Sequence, residues 1–267
     1  MIKTVTLKAK QKVFGNFAGR HTSPFKGIGL DFKELREYQY NEDAKRIDWK
    51  RSAKFQKPLI KEFEEERELN VIITILVDGS LYFGTKTLKT ETIAEIAAIL
   101  GYSAVLFDDK VSLLLYEKKP LTHLKPTKSQ KNIPIFVEKI LECEYLKKEY
   151  DFSFIDYLNK FQKSLLFLIG DFYKHPPLHK LKHETYVLWV RDKFEENPST
   201  LGEIELLDPH TLKNVTTNLN KSQIEKYKKD ILQNDKKFEE FLLKEKIKYK
   251  KIYTHEDSFM KLMELMR

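Results

Sequence analysis

Four short apolar runs, separated by segments with helical spacing, constrain this chain more than any other feature. VIITILV (71–77) ends at Asp78, VSLLLY spans 111–116, LLFLI (165–169) ends at Gly170-Asp171, and YVLWV spans 186–190. Between them Ile93, Ile96, Ala97, Leu100 and Ala104 recur at helical intervals. Pro134 opens a second helix with Phe136, Ile140 and Leu141 inward, and Phe154, Tyr157, Leu158 and Phe161 mark a third. Strands that are apolar throughout are buried on both faces, and the intervening helices are what buries them. The pattern predicts a doubly wound α/β domain with a mainly parallel sheet. Further along, residues 203–207 read as a short strand stopped by Asp208-Pro209. Ser222 reads as the cap of a long helix to about Lys246, with Ile224, Tyr227, Ile231, Phe238, Phe241 and Leu242 on one face. KKIYT (250–254) reads as a last strand and residues 258–266 as a last helix.

The segment before residue 71 has a different texture. Val5 and Leu7 alternate with polar residues, and Gly15, Gly19, Pro24, Gly27 and Gly29 punctuate a loop. Tyr38, Tyr40, Ile47, Trp49, Phe55, Leu59, Ile60 and Phe63 then lie among charges, which predicts short, partly buried strands. The chain has 267 residues, and at ~150 residues per domain that suggests about two domains. The division expected is a β-rich N-terminal subdomain over 1–70 and an α/β domain over 71–267. The acidic run Glu62, Glu64, Glu65, Glu66 and Glu68 reads as a solvated face.

Composition excludes several classes. One cysteine, Cys143, forbids an intrachain disulfide framework and a multi-cysteine zinc site. Flanked by Glu142 and Glu144, it reads as a packing residue, because nearby negative charge disfavours a thiolate. The run Val71–Val77 is far shorter than the ~20 residues of a membrane helix, and MIKTVTLKAKQ lacks the apolar core of a signal peptide. The expected compartment is therefore the cytoplasm. The net charge of +8 comes from 41 Lys and 7 Arg against 40 acidic residues. Residues 221–251 alone carry 11 Lys and 6 Asp or Glu, whereas five of the seven Arg fall within 20–67. Lysine on a helix surface is solvation; arginine is the residue of planar, buried ion pairs.

In an open α/β sheet, ligands bind beyond the carboxyl ends of the strands, where strand order reverses. Asp78 and Asp171 occupy two such ends, with Ser80 two residues after the first. Carboxylates and a hydroxyl suit a hard cation such as Mg2+. The same residues also read as caps of the following turns.

Further residues form a recognisable series. Gly19-Arg20-His21-Thr22-Ser23, Gly27-Ile28-Gly29-Leu30-Asp31-Phe32 and Leu35-Arg36-Glu37-Tyr38 are followed by Arg46-Ile47-Asp48-Trp49 and Ser52-Ala53. Then come Lys61-Glu62-Phe63 through Glu68 and the strand into Asp78, followed by Asp109-Lys110-Val111, Ile169-Gly170-Asp171-Phe172, His183-Glu184 and Leu207-Asp208-Pro209. This series resembles the MoxR-associated family catalogued as domain of unknown function fifty-eight, over roughly residues 19–215. The resemblance implies a von Willebrand factor A-like domain preceded by a small β-rich subdomain. It also implies a role as partner of a MoxR-type AAA+ ATPase in maturing other proteins or complexes, with the client unidentified. The family's metal-ion-dependent adhesion site resembles Asp-x-Ser-x-Ser plus a Thr and a second Asp. Here Tyr82 stands where the second hydroxyl is expected, and Tyr150-Asp151 where a Thr would precede an Asp. Asp78, Ser80 and Asp171 remain as a degenerate set, and the two missing hydroxyls weaken the case for Mg2+. Two neighbouring carboxylates without a cation would repel and raise the pKa of one.

A second constellation is Arg36, Tyr38, Arg46, Asp48, Trp49, Lys61 and Glu62. It reads first as an Arg–carboxylate network fixing the β-rich segment, and second as a docking surface, since Trp, Tyr and Arg anchor interfaces. Among function classes, a non-enzymatic interaction module leads. The alternative is a nucleic-acid binder using the basic surface, opposed by the acidic residues interleaved through 221–251. A hydrolase is not expected: the seven histidines show no HExxH spacing, and no GxSxG elbow or phosphate loop occurs.

Overall fold

A computed structural model describes residues 1–17, 32–39, 47–63, 69–198 and 202–266. The chain divides into two compact units, one of residues 1–21 and 69–267, the other of residues 22–68.

The chain opens with a helix, α1 (Ile2–Phe17), where the alternation of Val5 and Leu7 predicts a strand. The positions that bury are Ala9 and Val13, four apart, while Leu7 is exposed. That spacing is helical, and two alternating residues are too short a run to outweigh it. Residues 1–21 group with the α/β unit, so the β-rich segment begins after them rather than at residue 1.

In the smaller unit, β1 (Phe32–Glu37) runs antiparallel to β2 (Leu59–Phe63), with Arg36 opposite Ile60, Leu35 opposite Lys61 and Glu34 opposite Glu62. Between them Trp49–Phe55 forms a helix, α2, instead of the expected strand. The Asp48 carboxylate caps it by accepting the Arg51 N–H at 3.2 Å, and Gln56, at φ 55°, ends it in the left-handed region. The Leu59 N–H donates to the Ser52 hydroxyl at 2.8 Å, binding helix to strand. The acidic residues Glu64–Glu68 lie outside the described residues.

The larger unit is built on a six-stranded sheet. Its strands are β3 (Asn70–Leu76), β4 (Lys110–Tyr116), β5 (Pro120–Thr127), β6 (Leu165–Gly170), β7 (Glu184–Arg191) and, near the C-terminus, β10 (Lys248–Tyr253). Their order across the sheet is β10-β7-β6-β3-β4-β5. All neighbours are parallel except β5, which is antiparallel to β4. Strand β5 was not anticipated: Pro120 and Pro126 argue against a strand, and only an edge position tolerates them.

Helix α3 (Lys89–Leu106) follows β3, α4 (Ile133–Leu141) and α5 (Phe154–Leu158) lie between β5 and β6, and α6 (Lys193–Glu196) follows β7. The sheet side carrying Ile72, Leu76, Leu114, Leu166, Leu168, Val187 and Trp189 packs with Phe154 and Leu158 of α5 in one cluster. By the two-residue period of a strand, Val71, Ile73, Ile75 and their neighbours face the other side, where α3 packs against β3, β4 and β7. Both faces are thus covered, the doubly wound arrangement the apolar runs predict. Helix α1 lies on α3 and α4, and Lys12 pairs with Glu95 of α3 at 2.9 Å.

The strand expected at 203–207 forms as β8 (Gly202–Leu207), yet it pairs with β9 (Asn214–Leu219) in a separate ribbon rather than joining the sheet. The long helix α7 (Lys221–Lys244) is capped by Asn220, not Ser222, through a reciprocal pair with Gln223. Tyr227, expected inward, is 44% exposed. The chain closes with α8 (Ser258–Leu265), capped by Asp257. Among the described residues, no helix is long and apolar enough to cross a membrane.

The α7 face is seated by Phe238, fully buried, with its ring stacked on Phe172 at 5.4 Å and edge-on to Trp189 at 5.5 Å. Phe238→Ala is expected to cost about 3–5 kcal/mol, read as a lowered urea midpoint with an unchanged m-value.

Candidate functional site

Strand order reverses at β3, which has β4 on one side and β6 on the other. The two loops leaving the carboxyl ends of β3 and β6 carry Asp78 and Asp171, both buried. After Asp78 the chain makes a 3-10 turn over Gly79–Leu81, capped by the Asp78 side chain. Asp78 Oδ1 accepts the Ser80 N–H at 3.0 Å, the Ser80 hydroxyl at 2.7 Å and His210 Nε2–H at 2.9 Å. The Ser80 side chain also lies close enough to Asp171 to help lower its pKa. The three residues expected from sequence therefore do converge.

Two features hold this geometry. Gly79 lies against the Asp208–Leu212 turn so closely that a Cβ would stand 2.7 Å from the Pro209 carbonyl oxygen. That turn is itself bound by Asp208, which accepts from the His210 N–H at 2.9 Å and the Thr211 hydroxyl at 2.6 Å. It delivers His210 to Asp78. On the β6 side, Phe172 adopts φ 50°, a left-handed conformation costing roughly 1–2 kcal/mol that burial of its ring on Phe238 offsets.

The dominant group was not expected. Lys89, first residue of α3, has no solvent exposure, and its ammonium lies 3.5 Å from Asp171 Oδ2 and 2.7 Å from Glu195 Oε1. Burial by itself pushes the Asp171 carboxyl up, but the Lys89 ammonium, the Ser80 hydroxyl, the Arg191 guanidinium and the Tyr173 N–H together hold it below the ordinary value. The rise expected for one of two cation-free carboxylates therefore does not occur at Asp171, because a cation is present on the chain itself.

Behind Asp171 lies a second layer. Arg191, at the end of β7, donates to the Asp171 carbonyl at 3.4 Å and to Asp235 Oδ1 on α7 at 3.0 Å. Lys251 of β10 donates to Asp235 Oδ2 at 2.8 Å and to Glu196 at 2.9 Å. Its ammonium sits 4.2 Å from the centre of the Trp189 ring. Asp192 caps α6 and accepts from Thr85 at 3.0 Å and Thr254 at 2.7 Å. Arg191, outside the 20–67 cluster, makes a buried arginine pair with Asp235, and Lys251 joins through the same aspartate; both Asp235 and Lys251 come from the stretch expected to be plain solvated surface. The strand-end rule that selects Asp78 and Asp171 also selects Arg191 and Asp192; no sequence signal marks Lys89 or His210.

The second predicted constellation is only partly visible. Arg46 lies outside the described residues, as do the side chains of Arg36, Lys61 and Glu62. Tyr38 is half-buried, and its N–H donates to the Pro58 carbonyl at 2.8 Å. Asp48 acts as the α2 cap, and Trp49 is 68% exposed. Cys143 is shielded chiefly by burial, which pushes its thiol up to about 11; Glu144 and Glu117 add to this against Lys148.

The sequence profile described as "Protein of unknown function DUF58" matches residues 34–237. The chain belongs to this family. Proteins similar to it include the uncharacterized protein Rv1480 of Mycobacterium tuberculosis and the uncharacterized protein Mb1516 of Mycobacterium bovis, each 32% identical over 97 residues. That stretch is 36% of this chain and 31% of each relative, so the match spans about a third of their length. Among solved structures, BatB from Bacteroides thetaiotaomicron superposes with a TM-score of 0.46 at 15% identity, covering 74% of this chain and 97% of that one. An aerotolerance-related membrane protein from Bacteroides fragilis gives 0.45 at 14%, covering 74% and 96%.

In this DUF58 chain the converging side chains do not fit Mg2+. Asp78 spends Oδ1 on Ser80 and His210, Lys89 stands against Asp171, and no three His, Cys, Asp or Glu side chains among the described residues are grouped to hold a metal. A like unit charge ~4 Å from the ammonium meets roughly 4 kcal/mol of repulsion at an effective dielectric near 20, and a divalent ion meets twice that. Three surface clefts of about 330, 370 and 280 Å3 run along β7, β10 and β5, and none includes Asp78 or Asp171.

Gly79→Ala is expected to cost about 1–3 kcal/mol, because the new methyl meets backbone rather than a flexible side-chain end; thermal unfolding measures it. The lowered Asp171 pKa makes its contribution to stability complete above the unfolded value of 3.8 and lost as pH falls through the folded value. The stability gap between wild type and Asp171→Asn should accordingly be widest near neutrality and narrow below pH 3.8, read from urea midpoints across pH.

Proposed function

We propose that this chain is a non-enzymatic protein–protein interaction module: a von Willebrand A-like adaptor that partners a MoxR-type AAA+ ATPase in protein maturation or complex assembly. The observation that carries this reading is the chemistry of the loops leaving β3 and β6. Each holds a buried carboxylate already engaged within the chain, Asp78 by Ser80 and His210 and Asp171 by Lys89, and each turns large aromatic side chains outward. Tyr82 is 54% exposed, Phe83 37% and Tyr173 62%. Tyrosine is a favoured anchor of interfaces because it brings large area with a polar tip.

Other features support the same reading. The strand order, with the third strand of the sheet antiparallel at one edge, agrees with a von Willebrand A-like topology, as does membership of the family. Ser80, the hydroxyl nearest the two carboxylates, gives its proton to Asp78 and has no base aligned to activate it as a nucleophile. The basic C-terminal stretch does not favour nucleic acid: Lys228 and Lys236 pair with Glu225 and Glu240, and Lys251 is consumed in the buried network. A cytoplasmic site of action is part of the proposal.

Affinity purification from the native host tests it, with wild type beside Tyr82→Ala/Tyr173→Ala. A MoxR-type ATPase should co-purify with wild type and change its ATP hydrolysis rate on addition of the chain. The double variant should bind about thirtyfold more weakly or worse, as for loss of interface anchors, while keeping the wild-type melting temperature. An ATPase that neither co-purifies nor responds would sink the adaptor reading.

A further inference from the structure

We propose that Lys89 takes the place of a divalent cation at the switch point of the sheet, so that the site is a metal-free one with a tethered ammonium as its resident cation. Five observations converge on this. Asp78, Ser80 and Asp171 meet as half of an oxygen ligand set, with Ser80 donating to Asp78 and lying beside Asp171. Into that set the fold delivers one positive charge with no access to solvent, 3.5 Å from Asp171 and 2.7 Å from Glu195. An ammonium offers three N–H donors in a compact head, the nearest side-chain equivalent of a small cation.

The local contact of the ammonium is with the Phe83 ring, at 5.9 Å from its centre, the outer limit of a cation–π interaction. Lys89 is the first residue of α3, where the helix dipole disfavours a positive charge, so the carboxylates of Asp171 and Glu195 are what hold it. Arg191 adds a second positive charge beside Asp171, which raises the electrostatic cost of placing a dication there. Finally, the group is locked: Glu195 both receives Lys89 and closes the reciprocal cap of α6 by accepting the Asp192 N–H at 2.8 Å. The ammonium and the cap thus use the two oxygens of one carboxylate, which fixes Glu195 in place for Lys89.

A consequence follows for recognition. A bound metal ion would leave a coordination position for a partner's carboxylate, whereas a fully enclosed ammonium offers none. Any partner seated on this face engages the exposed Tyr82 and Tyr173 and is indifferent to chelators. That consequence rests on the adaptor reading; the tethered cation does not, and its test uses the isolated chain.

The test is titration of Mn2+ against wild type, Lys89→Ala and Lys89→Ala/Asp171→Asn, with free Mn2+ followed by electron paramagnetic resonance and melting temperature in parallel. Wild type should neither bind Mn2+ at this site nor shift its melting temperature. Lys89→Ala should bind at least about tenfold more tightly than wild type, as relief of like-charge repulsion implies, and regain melting temperature as Mn2+ fills the vacated place. The double variant should lose that gain. Should Lys89→Ala unfold in metal-free buffer, refolding on addition of Mn2+ supports the proposal and failure to refold counts against it. Mn2+ binding by wild type that Asp171→Asn abolishes, or a folded Lys89→Ala with no gained affinity, overturns it.

Discussion

The buried contact of Lys89 with Asp171 and Glu195 is the interaction on which the upper edge of the sheet depends. It joins the start of α3, the end of β6 and the first turn of α6 through a single ammonium with no solvent access. A buried ion pair is weak evidence for stability, because desolvation of both charges offsets much of their attraction. Its effect is on geometry. Removing either partner strands a charge in the interior, so the three elements are held in one relative arrangement. The adjoining Arg191–Asp235–Lys251 layer extends the same logic to α7 and β10. Charge alternates through the cluster, and each carboxylate is satisfied from at least two sides.

That arrangement explains how so exposed an aromatic rim is tolerated. Tyr82 and Tyr173 project from short loops whose neighbouring residues are fixed by buried polar contacts: Ser80 to Asp78, and the Tyr173 N–H to Asp171 at 3.5 Å. The Asn234 amide of α7 also holds the Tyr173 carbonyl at 3.1 Å. Side chains presented from a rigid backbone lose less conformational entropy on association than those on mobile loops. Polar rigidity beneath and apolar area above are what an interface anchor requires.

Much of this was legible in sequence, for identifiable reasons. The runs at 71–77, 111–116, 165–169 and 186–190 announce buried strands because burial on both faces demands apolar residues throughout. Strand ends then point to Asp78 and Asp171 without further information. Helix α1 reads poorly from sequence because its stripe of Val5, Ala9 and Val13 is thin and overlaid by Lys and Thr. Strand β5 escapes the pattern because an edge strand accepts prolines that a central one cannot. Lys89 was invisible for a different reason. It is one of 41 lysines, and what distinguishes it is the company of Asp171 and Glu195, which are remote in sequence and brought near only by the winding of the chain.

Replacing an exchangeable ion by a side chain changes the thermodynamics of a site as well as its chemistry. A bound metal stabilises the folded state by an amount that rises with its free concentration over Kd, so a metal-dependent site loosens whenever the ion is scarce. A tethered ammonium has no such dependence, and its entropy loss is confined to one side chain, at most about 2 kcal/mol. It also removes the open coordination position through which an ion site reads an acidic ligand. Under the proposal, the hydroxyls that the family resemblance leads one to expect in place of Tyr82 and Tyr150 have no separate cation to hold, and the Tyr82 position carries an exposed aromatic ring instead.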